Sequence, residues 1–346
     1  MPKAVRFPSP RNGGVSGMIR SATRSRQPVR AAWSREKLLR ERAIALGQAI
    51  DKSTLNSYSS ALNSYLTFIR IHNLPVEPTP DTLSFYTVYM CHHIKPDSVS
   101  SYLSGLCQQL EPYFPDVRPS RHSILVERTL KGCRRLRGAA ARRKRALTFG
   151  DLTLVHNALG DSTSHDDRLF LAMLFTGFFS LMRLGELSFP NDKRLQNWRK
   201  VTKRSSAIIT NDQYEFHLPC HKADPFFEGN RIIIKKHQYC DLNPLSIFQS
   251  YLDSRDHLFP LSSPLWLTSR GTVPTRHFFM SRMRHFFESD VGGQSMRAGG
   301  ATSLAEHGVP PSLIQLIGRW SSDTFLRYIR KNPVLIQSLL YSHDRA

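Results

Sequence analysis

From Trp33 onward the chain reads in helical periods. Leu55, Tyr58, Leu62, Tyr65 or Leu66, and Ile69 recur at three-to-four spacing, while Ser57, Ser60 and Asn63 fall opposite. That alternation predicts an amphipathic helix. The stretch "PTPDTLSFYTVYM" starts another, with Thr79 as N-cap, Pro80 at the first helical position and Asp81 in the first turn. "KPDSVSSYLSGLCQQL" repeats this grammar with Pro96 and Asp97. Four or five such helices make a compact all-helical domain. Further along, "LTFGDLTLVHNAL" and "DDRLFLAMLFTGFFSLMRLGELSF" read as helices, the second largely buried. The period then changes: "YEFHLPCHK" and "NRIIIKKH" have strand composition, and "ADPFFEG" between them supplies turn residues, which predicts a hairpin. From "PLSIFQSYLDSR" to the end the pattern is helical again, and no internal repeat is found. In "AGGATSLAEHGVPPSLIQLI", Gly299 and Gly300 allow close helix packing, and Gly308 ends one helix before Pro310 and Pro311 begin the next.

Length and charge turn this pattern into a domain plan. The 346 residues suffice for two cores. Residues 1–32 are rich in Arg, Ser, Pro and Gly and read as a basic disordered arm. Residues 33–138 form the helical domain, 139–146 a basic linker, and 147–346 a second, mainly helical domain with one small sheet. Lys and Arg number 48 against 27 Asp and Glu, a formal charge of +21, which points to a polyanionic partner, with nucleic acid foremost. Nine basic residues and no acid lie between Arg128 and Arg145. Arg134, Arg135, Arg137, Arg142, Arg143, Lys144 and Arg145 are therefore candidate contacts to DNA phosphates, and "RRKR" also suits a nuclear-import signal, so nuclear residence is expected. No apolar run approaches the roughly 20 residues of a membrane span, and the N-terminus lacks a signal-peptide core. A soluble, intracellular protein with reduced cysteines is expected. His217 with Cys220, and His237 with Cys240, repeat a spacing that zinc can use. The ligand order is unusual and the intervening segment has its own purpose as a hairpin, so no metal is expected.

Four separated stretches carry candidate chemistry: "TGFFSLMRLGEL" with Arg183 and Glu186, the hairpin with Lys222, "GQSMRAGGAT" with Gln294 and Arg297, and "GRWSSDTFLRYIR" with Trp320 and Tyr328. Singly, each has an ordinary reading: an ion pair on a helix, a strand lysine, a solvated helix start, a core tryptophan. Tyr328 beside Phe325, Leu326 and Ile329 could simply pack. Together and in this order, they resemble the tyrosine recombinase family, over about residues 33–346, and look most like recombinases of eukaryotic mobile elements of the DIRS type. The resemblance implies a mainly α fold with a small β-sheet, an N-terminal all-helical core-binding domain and a C-terminal α+β catalytic domain. It places the first arginine on Arg183 with its acidic partner Glu186, the hairpin lysine on Lys222, the second arginine on Arg297 and the nucleophile on Tyr328. The His-or-Trp position falls on Trp320, eight residues before Tyr328 where the family commonly has nine, so that Arg319 competes for that slot by position. Where the family usually has histidine, this chain has Gln294, an amide that cannot exchange a proton at neutral pH.

The implied chemistry suits these side chains. Exchanging a phosphodiester for a protein phosphoester needs an in-line hydroxyl and donors for the non-bridging oxygens. Two forked, permanently charged guanidiniums fill the second role, so Arg183 and Arg297 form the clamp. Lys222 is the candidate general acid for the departing 5′ oxygen. Tyr328, with an ordinary phenol pKa of about 10, needs positive surroundings or a base. The phosphotyrosyl bond conserves the energy of the broken linkage, so no cofactor is implied. The expected partner is double-stranded DNA, bound by a homo-oligomer that forms through the segment after Tyr328, where Val334, Leu335, Ile336, Leu339 and Leu340 lie. Two readings follow: a site-specific recombinase or integrase working through a 3′-phosphotyrosyl intermediate, or a mobile-element-derived DNA-binding protein whose catalysis Gln294 has weakened. A type IB topoisomerase shares the Arg, Lys and Tyr chemistry, but the separate core-binding domain and compact length argue against it.

Overall fold

The computed structural model describes residues 30–139, 144–222, 224, 226–236 and 242–320. By compactness the chain divides into two units, residues 1–90 with 97–130, and residues 91–96 with 131–346.

All the regular secondary structure among the first unit's described residues is helical. It holds α1 (Arg35–Gln48), α2 (Lys52–Ile71), most of α3 (Pro80–His93) and of α4 (Pro96–Leu110), α5 (Val117–Arg121), and the first half of α6 (Ile124–Arg137). The helix starts are set by local chemistry. The Asp51 carboxylate accepts the Ser53 N–H at 2.9 Å ahead of α2, and Thr79 Oγ1 accepts the Thr82 N–H at 3.2 Å ahead of α3. The buried face of α2 is Ala61, Tyr65, Phe68 and Ile69. Leu55, expected on that face, is 45% exposed, and Tyr58 and Leu62 are only half-buried, because the core centres on the C-terminal half of α2. There Tyr65 and Tyr86 meet edge to face at 5.4 Å, both fully buried, and Tyr86 Oη donates to Ser64 Oγ at 3.0 Å. The boundary between units falls within α6, ahead of the expected basic linker. The last turns of α6 belong with residues 91–96 of the second unit: an Arg137 Nη2 lies 2.7 Å from His92 Nε2.

The second unit is built on a buried helix. It contains α7 (Phe149–Leu159), α8 (His165–Phe179), α9 (Leu184–Leu187), strands β1 (Ile208–Ile209), β2 (Gln213–Leu218) and β3 (Asn230–Lys235), then α10 (Pro244–Leu258), α11 (Arg276–Phe286), α12 (Ser295–Glu306) and α13 (Pro311–Ile317). α8 is buried along nearly its whole length and packs chiefly against α10 and α12. The strands form an antiparallel sheet in the order β1-β2-β3, with Tyr214 opposite Ile234 and Phe216 opposite Ile232. Alternation sends Tyr214, Phe216, Leu218, Ile232 and Ile234 into the core, where Tyr214 stacks on Phe248 at 4.1 Å. The expected hairpin is present, and β1 extends it.

"DDRLFLAMLFTGFFSLMRLGELSF" is not one helix. It breaks after Phe179, passes through Leu181 at φ 52°, and restarts as the single turn α9. A leucine tolerates this left-handed conformation only where its surroundings hold it. The holding groups are two arginines from distant segments, described next.

Candidate active site

The break between α8 and α9 leaves main-chain carbonyls with no helical partner. Leu181 O accepts Arg297 Nη1 at 2.6 Å and Arg319 Nη2 at 3.4 Å, while Ser180 O accepts Arg319 Nη1 at 3.4 Å. The bend thus gathers guanidiniums from α12 and from the residues after α13. Arg183, the N-cap of α9, joins them: its N–H donates to Glu186 Oε2 at 3.0 Å and its Nη1 to Glu186 Oε1 at 2.9 Å.

Arg297 sits in the first turn of α12, and its side chain is 3% exposed. It reaches this depth because α12 crosses α8 through glycine. A methyl group on Gly300 would strike the Phe178 carbonyl, and one on Gly299 would strike the Leu147 carbonyl and the Phe178 ring. Besides Leu181 O, the Arg297 guanidinium donates to Gly318 O, and its Cζ lies 4.0 Å from the centroid of the Trp320 ring. Trp320 is therefore the lid of the second arginine.

Arg319 is the group that sequence reasoning undervalued. It stands at φ 55° just after the Gly318 cap of α13, and its side chain is 7% exposed. Nη2 pairs with Glu186 Oε2 at 3.2 Å, so one carboxylate, itself 6% exposed, bridges Arg183 and Arg319. Burial lowers the Arg319 pKa, and the Glu186 charge opposes that shift. The signal was present in the sequence: Arg319, not Trp320, is nine residues before Tyr328. The structure brings both to the site, Trp320 against Arg297 and Arg319 against Glu186.

The connection from β2 to β3 carries Lys222 and His221. Lys222 is exposed there. Its neighbour His221 is half-buried. Burial pushes the His221 imidazole below its ordinary range; the Glu186 charge pulls it up, Arg319 pushes it down, Asp224 raises it and Arg183 lowers it. The turn is tied locally: the Asp224 N–H donates to His221 O at 3.0 Å, and the Asp224 carboxylate accepts the Gly229 N–H at 2.9 Å, with Gly229 at φ 72°.

Gln294 is exposed just before α12, where its carbonyl accepts the Ala298 N–H at 3.0 Å. Tyr328, Arg142 and Arg143 lie outside the described residues, as do His237 and Cys240. Among the described residues no group of three or more His, Cys, Asp or Glu side chains is arranged to hold a metal ion, and no helix is long and apolar enough to cross a membrane.

Of the basic run, Arg134, Arg135 and Arg137 are exposed on the last turns of α6. Lys144 and Arg145, also exposed, make contacts within the second unit. Lys144 Nζ donates to Ser289 O. Arg145 grips Asp151 through Nη1 and Nη2 at 2.6 and 3.0 Å and Asp290 through Nε at 2.8 Å. Burial pushes the Asp151 carboxyl up, but hydrogen bonds from Arg145 and Thr148 hold it below its ordinary range.

No protein-family model matches the chain, and no curated protein sequence does. Solved structures do. A lambda integrase dimer bound to a COC′ core site superposes with TM-score 0.51 at 18% identity, over 84% of this chain and 95% of that one. The XerH site-specific recombinase in a post-cleavage complex with palindromic difH substrate gives 0.57 at 14% identity, over 84% and 80%. The Tn1549 transposon integrase in complex with transposon right-end DNA gives 0.51 at 14% identity, over 83% and 99%. The chain therefore carries the fold of the tyrosine recombinases.

Proposed function

We propose that the chain is a site-specific DNA recombinase or integrase that cleaves and rejoins duplex DNA through a 3′-phosphotyrosyl bond on Tyr328. One observation carries this reading: Arg183, Arg297 and Arg319, from three separate segments, converge on one helix break and one carboxylate. Such a cluster, preformed and partly desolvated, suits the charge that develops on a phosphodiester under in-line attack. In this reading Arg183 and Arg297 hold the non-bridging oxygens, Trp320 steadies Arg297, Lys222 protonates the departing 5′ oxygen, and Tyr328 attacks. The bond energy passes to the phosphotyrosyl link and back, so the cycle runs without nucleotide or metal. Duplex DNA is the substrate, met in part by Arg134, Arg135 and Arg137, and a homo-oligomer of two to four copies assembles on it. A mobile-element origin and nuclear action complete the reading, as they did for the sequence alone.

The test is a nicked duplex whose short cleaved fragment diffuses away. The wild-type chain gives a covalent protein–DNA adduct under denaturing electrophoresis, and Tyr328→Phe gives none. If neither gives an adduct while both bind DNA, the protein is a binding module. Gln294 favours that second reading, since losing one proton-transfer group costs about 10²- to 10⁴-fold. Salt dependence of binding does not separate the two, because phosphate contacts dominate in both.

A further inference from the structure

A further basic run lies on the connection from α9 to β1. From Lys193 to Arg204 the sequence carries six basic residues and no acid. The fold pins this segment along its length. Asp192 Oδ1 accepts the Arg194 N–H and Asn197 Oδ1 accepts the Arg199 N–H, each at 3.0 Å, and these caps start two short 3₁₀ turns, Lys193–Leu195 and Trp198–Lys200. The Leu265 N–H donates to Thr202 O at 2.8 Å, and Arg204 holds the Asp256 carboxylate through Nε and Nη2 at 3.0 and 2.7 Å. On this frame Lys193, Arg199 and Lys203 are exposed. Trp198 beside them is exposed too, its ring meeting Phe189 edge to face at 5.2 Å.

The segment touches the turn that carries Lys222. Arg199 Cζ lies over the Phe227 ring, 4.4 Å from its centroid. Phe227 stands at φ 61° in that turn, two residues before Gly229, whose N–H the Asp224 carboxylate accepts. A guanidinium seated on an aromatic face keeps its N–H groups at its edge, where they can donate.

Resting on the reading of duplex DNA as the substrate, we propose that the segment Lys193–Arg199 is a DNA-contact surface in its own right, on which Arg199 and Lys193 grip backbone phosphates near the bond that is cut. Charge selects the occupant: exposed cations in a run without an acid match a row of phosphates. Contact selects the place: Arg199 rests on the turn of Lys222, the candidate acid for the departing oxygen, so the phosphates it reaches lie close to the scissile one. The frame is formed before DNA arrives, which lowers the ordering cost of binding.

The experiment measures affinity of the full chain for the nicked duplex across a salt series, with adduct formation read alongside. Lys193→Gln with Arg199→Gln alters two exposed side chains, and its unfolding midpoint is expected to match the wild type. Binding is expected to weaken about 10²-fold, and the slope of log affinity against log salt to shrink by about 2. Lys235→Gln with Lys236→Gln removes the same charge from exposed positions at the end of β3 away from the turn, and is expected to change affinity by less than about threefold. A series of duplexes, each with one phosphate near the nick replaced by a neutral methylphosphonate, locates the contact. At the gripped phosphates the replacement weakens the wild type and leaves the Lys193/Arg199 variant unchanged. Equal losses in the two double variants, an unchanged salt slope, or no position at which replacement and variant couple would each overturn the inference. The wild-type adduct decides the recombinase reading separately, because affinity is read whether or not Tyr328 cuts. Failure of the wild-type chain to bind the duplex overturns both.

Discussion

The two expected clamp arginines are held by opposite means. Arg297 is 3% exposed and is fixed by main-chain carbonyls at Leu181 and Gly318, under an indole ring. Arg183 has a side chain 30% exposed and is fixed by one carboxylate, Glu186, from its own helical turn. The first is wired into the fold: it ties α12, the α8–α9 break and the end of α13 together, so its geometry cannot change without the core changing. The second is wired to a local ion pair and is partly exposed. A guanidinium can therefore be preorganised either at the expense of burial or at the expense of a shared counter-charge. Only the first arrangement makes a binding residue into a structural one as well.

The largest expected effects test that contrast. Arg297→Lys removes a fork that serves two buried carbonyls, and a single ammonium cannot reach both. Cleavage of the nicked duplex is expected to fall by about 10³-fold, and the urea unfolding midpoint to fall too, by the equivalent of about 2–4 kcal/mol for stranded buried acceptors. Arg183→Lys is expected to lower cleavage by about 10²-fold yet cost under about 1 kcal/mol of stability, because its partner is local and its head is partly solvated. Equal destabilisation by the two variants would break the comparison.

Glu186→Gln sharpens it. The amide keeps one acceptor but turns an N–H toward a guanidinium, and Arg319 is left buried without its counter-charge. About 3 kcal/mol of stability is expected to go, with a roughly tenfold loss of cleavage through Arg183. Adding Arg183→Lys to Glu186→Gln is expected to cost less than the two single losses combined, since both act on one pair. Additivity in a double-mutant cycle would show that Glu186 serves Arg319 alone.

Much of this architecture was legible in the sequence. Pro80 and Pro96 with their acidic neighbours marked helix starts because capping is local chemistry. The strand composition of "YEFHLPCHK" and "NRIIIKKH", with turn residues between them, marked the hairpin. The break at Leu181 was not legible. Nothing near Leu181 in sequence demands a left-handed residue; Arg297 and Arg319, more than a hundred positions away, stabilise the exposed carbonyls. The buried face of α2 shifted for a related reason, since periodicity shows which residues share a face but not where along the helix the core lies. Arg319 and Trp320 differ by one residue of spacing, and the fold brings both side chains in, one to Glu186 and one to Arg297.

Trp320 supplies the smallest and most discriminating test. Its ring lies against the Arg297 guanidinium, which is already secured by two carbonyls, so the indole contributes a face rather than an anchor. Phenylalanine keeps a π face but a weaker one. Trp320→Phe is therefore expected to cost about 0.5–1 kcal/mol, a fall in cleavage of less than tenfold, with DNA affinity little changed. Trp320→Ala opens Arg297 to water and is expected to cost more in both cleavage and unfolding midpoint. If Phe and Ala behave alike, the ring acts by more than covering Arg297, and the arginine's fixity must come from the carbonyls alone.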